Sequence, residues 1–304
     1  MSSRARARVP IVVNPIAGGG RALRWRRAVE AGAAAAGVEA EWWPTGGRGH
    51  AEELAADAAR QGRPLLLACG GDGTYNEVAR GLLGSSTAMG VLAAGTTSVL
   101  AYELGIPRRA ERAVPALLAA PNRALHVGRS NRGDIFLLML SAGADTAVLD
   151  RLRPGLKRLG GRWGVAAQAA LELCGRRPLP RVRARFDGEQ VDGGWVIVGK
   201  ARCYGGRYRA TPGADPFRPS LELVVQRAVG RRPALAFVLG IPFERHVRRP
   251  DVVRAAVGRV TIESANPSAR VRYQVDGDLA GELPVEAWVA SETLLVRVPQ
   301  PPVP

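Results

Sequence analysis

Along its first hundred residues the chain alternates apolar runs with amphipathic ones. "VPIVV" (9–13), "VEAEWWPT" (38–45), "PLLLACG" (64–70) and "MGVLAAG" (89–95) are short, apolar and bounded by Gly, Pro or Asn, which predicts strands. Between them lie helical patterns. One is an Ala/Arg-rich stretch running to about Gly37. A second covers 50–61, with Ala51, Leu54, Ala55, Ala58 and Ala59 on one face; two more cover 74–83 and 97–104. Strand and helix joined by short Gly-bearing turns predict an α/β domain with a mostly parallel sheet covered by helices.

After about Asn122 the rhythm changes. "RALHVG", "DIFLLML", "RVRARFDG", "GGWVIVGKA", "LELVVQ", "RVTIES", "VRYQVDGD" and "TLLVRVP" are short β-rich runs, with turn signals at Asp187-Gly188 and Asp276-Gly277. Helices are expected to interrupt at 145–153 and 164–175. This half predicts a mainly antiparallel β-sandwich or flattened barrel. The expected division is an α/β domain over 1–122 and a β-rich domain over 123–285, with the tail 286–304 free to pack back on the first.

Composition narrows the partners. A length of 304 residues with 46% hydrophobic content supports two packed cores. The net charge of +16, with the larger excess after residue 125, favours nucleotide phosphates, an anionic membrane surface or nucleic acid. No nucleic-acid motif accompanies the charge, so nucleic acid is not expected. Cys69, Cys174 and Cys203 form neither a disulfide framework nor a CxxC site, which points to a reducing cytoplasmic interior. The basic N-terminus lacks the apolar core of a signal peptide. The longest apolar run, "PALAFVLGIPF" (233–243), falls short of the ~20 residues that cross a bilayer, so any membrane contact is expected to be peripheral. Basic stretches at 21–30, 151–163 and 243–254 suit anionic headgroups, and Trp42, Trp43 and Trp163 beside basic residues could add lipid contact.

Candidate chemistry centres on "CGGDGTYNEV" (69–78), which follows a strand and opens a helix. A helix N-terminus offers N–H groups and partial positive charge, and glycine lets the backbone approach a phosphate. An aspartate there would repel the phosphate unless it engages Mg²⁺ or a reacting hydroxyl, so Gly70, Gly71, Asp72, Gly73 and Thr74 suggest phosphoryl transfer. The alternative is a tight turn in which Asp72 caps the helix. Two other strand ends carry similar loops, Asn14-Pro15-Ile16-Ala17-Gly18-Gly19-Gly20 and Ala94-Gly95-Thr96-Thr97-Ser98, and Thr45 ends the second strand. In a parallel sheet these loops share one edge, where open α/β sheets bind ligands.

"VNPIAGGG", "GGDGTYNEVARGL" and "LAAGTTSVLAYELGIP" resemble the three N-terminal motifs of the diacylglycerol kinase catalytic-domain family, which includes bacterial lipid kinases and sphingosine kinases. "AGADTAV" (142–148), "YGGRYRATPGA" (204–214) and "VDGD" (275–278) resemble later segments of the same family, in the same order. The resemblance implies a Rossmann-like domain of NAD kinase or diacylglycerol kinase type. It further implies ATP and Mg²⁺ as cofactors, with the nucleotide in an interdomain cleft and a lipid hydroxyl, diacylglycerol-like or sphingoid, as acceptor; a homodimer is left open. It assigns Asn14, Thr45, Gly70, Gly71, Asp72, Gly73, Thr74, Asn76, Glu77, Gly95 and Thr96 to the nucleotide, and Asp72 to Mg²⁺ or the phosphates. Asp278 would accept the hydroxyl proton, with Asp276 beside it; an extended strand would put both on one side and a turn would separate them.

The chain also departs from the family. Thr97-Ser98-Val99 stands where Gly-Asn-Asp is usual, Asp278 where the family has Glu, and Lys200 where an asparagine is usual. An aspartate that helps hold a structural Mg²⁺ in bacterial members is here Arg218, so that site is expected to be lost, with the guanidinium replacing the metal's charge. These departures keep two alternatives open: a NAD kinase-like enzyme, which shares the Gly-Gly-Asp-Gly loop, and a nucleotide-binding regulator without turnover. Other chemistry is not supported. Gly194–Ala201 mimics a P-loop inside a strand pattern, and His50, His126 and His246 lack metal spacing.

Overall fold

The structure, a computed structural model, describes residues 7–150 and 178–299. The expected helix at 164–175, the basic run 151–163, Trp163 and Cys174 lie outside the described residues. The chain divides into two compact units, residues 1–125 with 292–304 and residues 126–291.

The first unit runs β1 (Arg8–Val13), α1 (Arg21–Arg24), α2 (Arg26–Ala35), β2 (Glu39–Pro44), α3 (His50–Arg60), β3 (Leu65–Gly70), α4 (Asp72–Leu82), β4 (Ala88–Ala93), α5 (Val99–Glu103) and α6 (Ala110–Ala119). Its sheet has the order β2-β1-β3-β4, and all three pairings are parallel. Strands β3 and β4 are buried at every residue, as expected of strands covered by helices on both faces. The Ala face read in 50–61 holds, since Ala51, Ala55 and Ala58 of α3 are buried. The Ala/Arg stretch is two helices rather than one, broken at Trp25.

The second unit continues with β5 (Asn122–Ser130), which starts in the first, then β6 (Ile135–Phe136), β7 (Met139–Gly143), α7 (Ala144–Leu149), β8 (Val182–Phe186), β9 (Glu189–Gly193), β10 (Trp195–Gly199), β11 (Cys203–Tyr204), β12 (Tyr208–Arg209) and β13 (Leu221–Gln226). It is completed by α8 (Arg231–Gly240), β14 (Val252–Val257), β15 (Arg259–Ser264), β16 (Arg272–Val275), β17 (Asp278–Glu282) and the start of β18 (Val285–Arg297). Strands β14-β13-β10-β7-β16-β17 form one antiparallel sheet, and the start of β18 with β15, β8 and β9 forms a second antiparallel layer. Leu140, Val196, Val198, Leu223 and Tyr273 of the first layer pack with Val182, Ala184, Val260, Ile262 and Val285 of the other in one core. The P-loop-like run is β10, a buried central strand.

Candidate active site

The three glycine-bearing turns of the first unit meet, because the parallel strands that carry them end on one edge. Gly95 N–H donates to the Gly70 carbonyl at 2.6 Å. A Cβ on Gly95 would stand 2.5 Å from the Cα of Gly71, and one on Gly18 would stand 2.1 Å from the carbonyl oxygen of Ala94. Both positions need glycine because backbones touch there. Arg21 donates to the Gly95 carbonyl at 3.1 Å, and Asn14 reaches the Thr74 hydroxyl at 3.4 Å. Beneath the turns the buried Tyr75 hydroxyl lies 2.8 Å from the Gly70 carbonyl and 2.9 Å from that of Leu92, tying the ends of β3 and β4. Thr45 N–H donates to Val13 O, which places the end of β2 beside Asn14.

Helix α4 opens at this junction with Gly71 as its N-cap and no side-chain cap. The N–H groups of Asp72, Gly73 and Thr74 are the ones an α-helix leaves without an internal partner. Gly73 and Thr96 are exposed, whereas Gly70, Thr74 and Gly95 are buried. The result is a helix N-terminus beside two glycine turns, whose N–H groups are of the kind that suits phosphate oxygens.

Asp72 does cap a helix, but the next one. Its two carboxylate oxygens accept the N–H groups of Val99 and Leu100, both at 2.9 Å, and the Thr97 hydroxyl stands 3.4 Å away. Burial raises its pKa, and the Leu100, Val99 and Thr97 hydrogen bonds oppose that shift. Ser98, the N-cap of α5, takes a left-handed φ of 46° with no side-chain cap of its own. Two other expected nucleotide residues also have structural partners. Glu77 accepts the Ala51 N–H at the start of α3, and the Asn76 side-chain oxygen accepts from Arg80.

In the second unit the Asp276-Gly277 turn joins β16 to β17, with φ of 50° and 94° at its two central residues, the pattern of a tight hairpin. The turn separates the two carboxylates. Asp276 reaches back and accepts the N–H groups of Leu137 (2.9 Å), Leu138 (2.9 Å) and Met139 (3.0 Å), a clamp on the chain entering β7. Asp278 is exposed at the first position of β17.

Asp145, which in the sequence stands out only as part of the segment 142–148, lies in a buried polar network. Its carboxylate is bonded to the Ser141 hydroxyl and to Thr146 N–H, with the Tyr204 hydroxyl at 3.3 Å. Gln274 donates to Ser141 Oγ at 2.5 Å and accepts Gly277 N–H at 2.7 Å, which links the network to the Asp-Gly turn. Burial pushes the Asp145 carboxyl up to about 6, opposed by Ser141, Thr146 and Tyr204.

Arg218 is not where the local charge sits. Its side chain is 78% exposed and lies 3.5 Å from Asp215. The cation inside the 215–220 loop is the fully buried Lys200. Among the described residues no three His, Cys, Asp or Glu side chains gather to hold a metal. A Mg²⁺ that arrives with ATP needs only one or two carboxylates beside the phosphates; Asp72 is the carboxylate at this junction, and each of its oxygens already accepts a main-chain N–H.

Residues 8–130 match the diacylglycerol kinase catalytic domain, and residues 139–298 match the YegS C-terminal NAD kinase beta sandwich-like domain. The chain belongs to the diacylglycerol kinase catalytic-domain family, a family of lipid kinases. Curated relatives include a diacylglycerol kinase of Bacillus subtilis, 27% identical over 83% of each chain, and one of Mycobacterium tuberculosis, 26% identical over 96% of each. A YegS-like lipid kinase of Chromohalobacter salexigens is 34% identical over 59% of each chain. Solved diacylglycerol kinase-type structures from Bacillus anthracis share the fold: one has TM-score 0.82 at 20% identity, covering 100% of this chain and 98% of that chain. Another has TM-score 0.72 at 18% identity, covering 100% of both.

Proposed function

We propose that the protein is an ATP- and Mg²⁺-dependent lipid kinase that transfers the γ-phosphate to a hydroxyl of a diacylglycerol-like or sphingoid lipid. The observation that carries this reading is the contact of Gly71 with Gly95, which brings two glycine turns and an uncapped helix N-terminus to one point. In this reading the N–H groups of residues 72–74 and the turns at Gly18 and Gly95 hold the triphosphate. Thr45, Asn14 and Thr96 border the nucleotide. Asp72 keeps the junction in shape, and its carboxylate is the one beside the phosphates that Mg²⁺ would meet. Of the two carboxylates at the turn, Asp276 is committed to three main-chain N–H groups. In this reading Asp278, exposed at the start of β17 where the family resemblance puts the proton acceptor, is the base that orients the acceptor hydroxyl and takes its proton as charge moves onto the phosphate. Mg²⁺ bound with ATP would offset the charge that develops on the phosphates.

The acceptor lies in a membrane, and an exposed ridge of the second unit suits peripheral contact. Leu235, Leu239 (65% exposed) and Phe243 (70% exposed) stand on or just after α8, with Arg232, Arg245 and Arg248 exposed around them. Exposed apolar side chains interspersed along the chain with cations, of which Arg245 stacks on Phe243, fit an anionic interface. No helix among the described residues is long and apolar enough to cross a membrane.

A second reading, a nucleotide-binding protein without turnover, is favoured by the full engagement of Asp72 and Asp276 with backbone donors. Incubation with γ-labelled ATP and a panel of diacylglycerol, sphingoid, prenol and NAD acceptors separates the readings. Label on a lipid is expected. Label on NAD alone would assign a NAD kinase, and ATP binding without transfer would assign the regulator.

A further inference from the structure

The residues around 215–220 do not fit a structural Mg²⁺. Arg218 cannot ligate a cation, and the carbonyl oxygens that converge there are already taken. The Lys200 ammonium donates to the main-chain carbonyls of Arg218 at 2.6 Å, Asp215 at 2.7 Å and Ser220 at 3.1 Å. Three donors meet three acceptors.

We propose that Lys200 is the resident cation of this loop, a covalently attached ammonium in a carbonyl-lined cation site, so that the loop is ordered without any dissolved ion. Residue choice supports this. The chain contains only two lysines, Lys157 and Lys200, among 43 Lys and Arg residues, and one of them is buried at this point. An ammonium is a compact charge that three convergent carbonyls can surround, whereas a guanidinium is a planar fork that they cannot. Burying a charge is costly unless it is fully hydrogen-bonded, so the carbonyl cage explains how the fold tolerates it. The neighbouring titratable groups are Asp215, whose carboxylate favours the ammonium, and His126, whose pKa is lowered by burial and by Lys200. Burial pulls Lys200 down to about 8, which leaves it cationic at neutral pH.

The clamp reaches beyond the loop. Lys200 N–H and Ala201 N–H both bond to Leu138 O, next to the segment that Asp276 holds. His126 N–H bonds to Pro216 O in the same loop. The ammonium therefore pins the 215–220 loop to the edge of β7 and β10 from inside, with its own charge in the place of a metal.

The test compares wild type with Lys200→Ala by thermal melting, with Mg²⁺, EDTA or methylammonium added at matched ionic strength against tetramethylammonium, which is too large to enter. Wild type is expected to melt at one temperature in all of them. Lys200→Ala is expected to melt roughly 5 °C or more lower, with part of the loss recovered by methylammonium or Mg²⁺ and none by tetramethylammonium. A wild-type melting temperature that falls with EDTA would overturn the proposal, as would a variant as stable as wild type or one that no small cation rescues. If the variant does not fold, lysine-¹⁵N NMR of the wild-type protein decides. A slowly exchanging ammonium signal at neutral pH that couples to backbone carbonyls supports the cage, and two lysine signals that both exchange freely contradict it.

Discussion

Gly71 and Gly95 touch backbone to backbone, so that a single methyl group on Gly95 would stand 2.5 Å from the Cα of Gly71. Nothing but glycine leaves the turns after β3 and β4 this close. Gly95→Ala is expected to cost about 1–3 kcal/mol in urea unfolding as the turns separate, and to weaken ATP binding roughly tenfold or more by titration calorimetry.

Gly73 provides the contrast. A Cβ there meets nothing within 4 Å, and the residue lies in the first turn of α4. Gly73→Ala is expected to leave stability unchanged or raise it by up to about 1 kcal/mol through helix propensity. ATP affinity is nevertheless expected to fall, because the added methyl occupies the space a phosphate would use. An affinity equal to wild type would place the nucleotide elsewhere.

The two carboxylates of the hairpin turn are expected to fail in different ways. Asp276→Asn removes the acceptor for at least one of three buried N–H groups and should cost about 1–3 kcal/mol of stability. Asp278→Asn touches an exposed residue, so its melting temperature should match wild type. The Asp278 defect belongs in turnover.

Asp145 sets a pH signature. Its carboxyl is raised from 3.8 to about 6 by burial, so the folded state holds the proton more tightly than the unfolded chain. The stability it contributes is complete below pH 3.8 and is lost as pH rises to about 6, a change on the order of 3 kcal/mol. Asp145→Asn should lack that fall. Parallel urea titrations across this window check the sign, and a wild-type stability that rises with pH relative to the variant would contradict it.

The exposed ridge predicts a separation of binding from chemistry. Leu239→Glu with Phe243→Glu should weaken sedimentation with vesicles containing anionic phospholipid, while turnover of a short-chain diacylglycerol in solution stays unchanged. Equal vesicle binding would remove α8 from the interface.

Much of this was legible from local pattern. The parallel sheet followed from strand and helix alternating through short turns, and the β-rich half from short runs punctuated by Asp-Gly. The convergence of the glycine turns followed from strand direction alone. Helix α6 buries Ala110, Ala113, Val114 and Leu117 on one face, but Pro115 within it masks the helical pattern in the sequence. The run 233–243 reads in sequence as a span too short for a membrane, a length criterion that says nothing of the helix α8 and its exposed apolar side.

The partners of the site's charged groups were harder to read because they are distant in sequence. Asp72 caps a helix that begins 27 residues later, and Asp276 holds N–H groups up to 139 residues earlier. Spacing carries no trace of such pairs. Lys200 was visible only as a departure, and its three carbonyl partners are main-chain atoms that no residue type announces.

The most direct test of the kinase assignment is the rate of label transfer from γ-labelled ATP to diacylglycerol in vesicles by wild type and Asp278→Asn, with ATP affinity measured on both. Wild type should label the lipid, and the variant should bind ATP equally well yet transfer on the order of 10²–10⁴ times more slowly. Equal rates in the two proteins, or no lipid labelling by a wild type that binds ATP, would contradict the account.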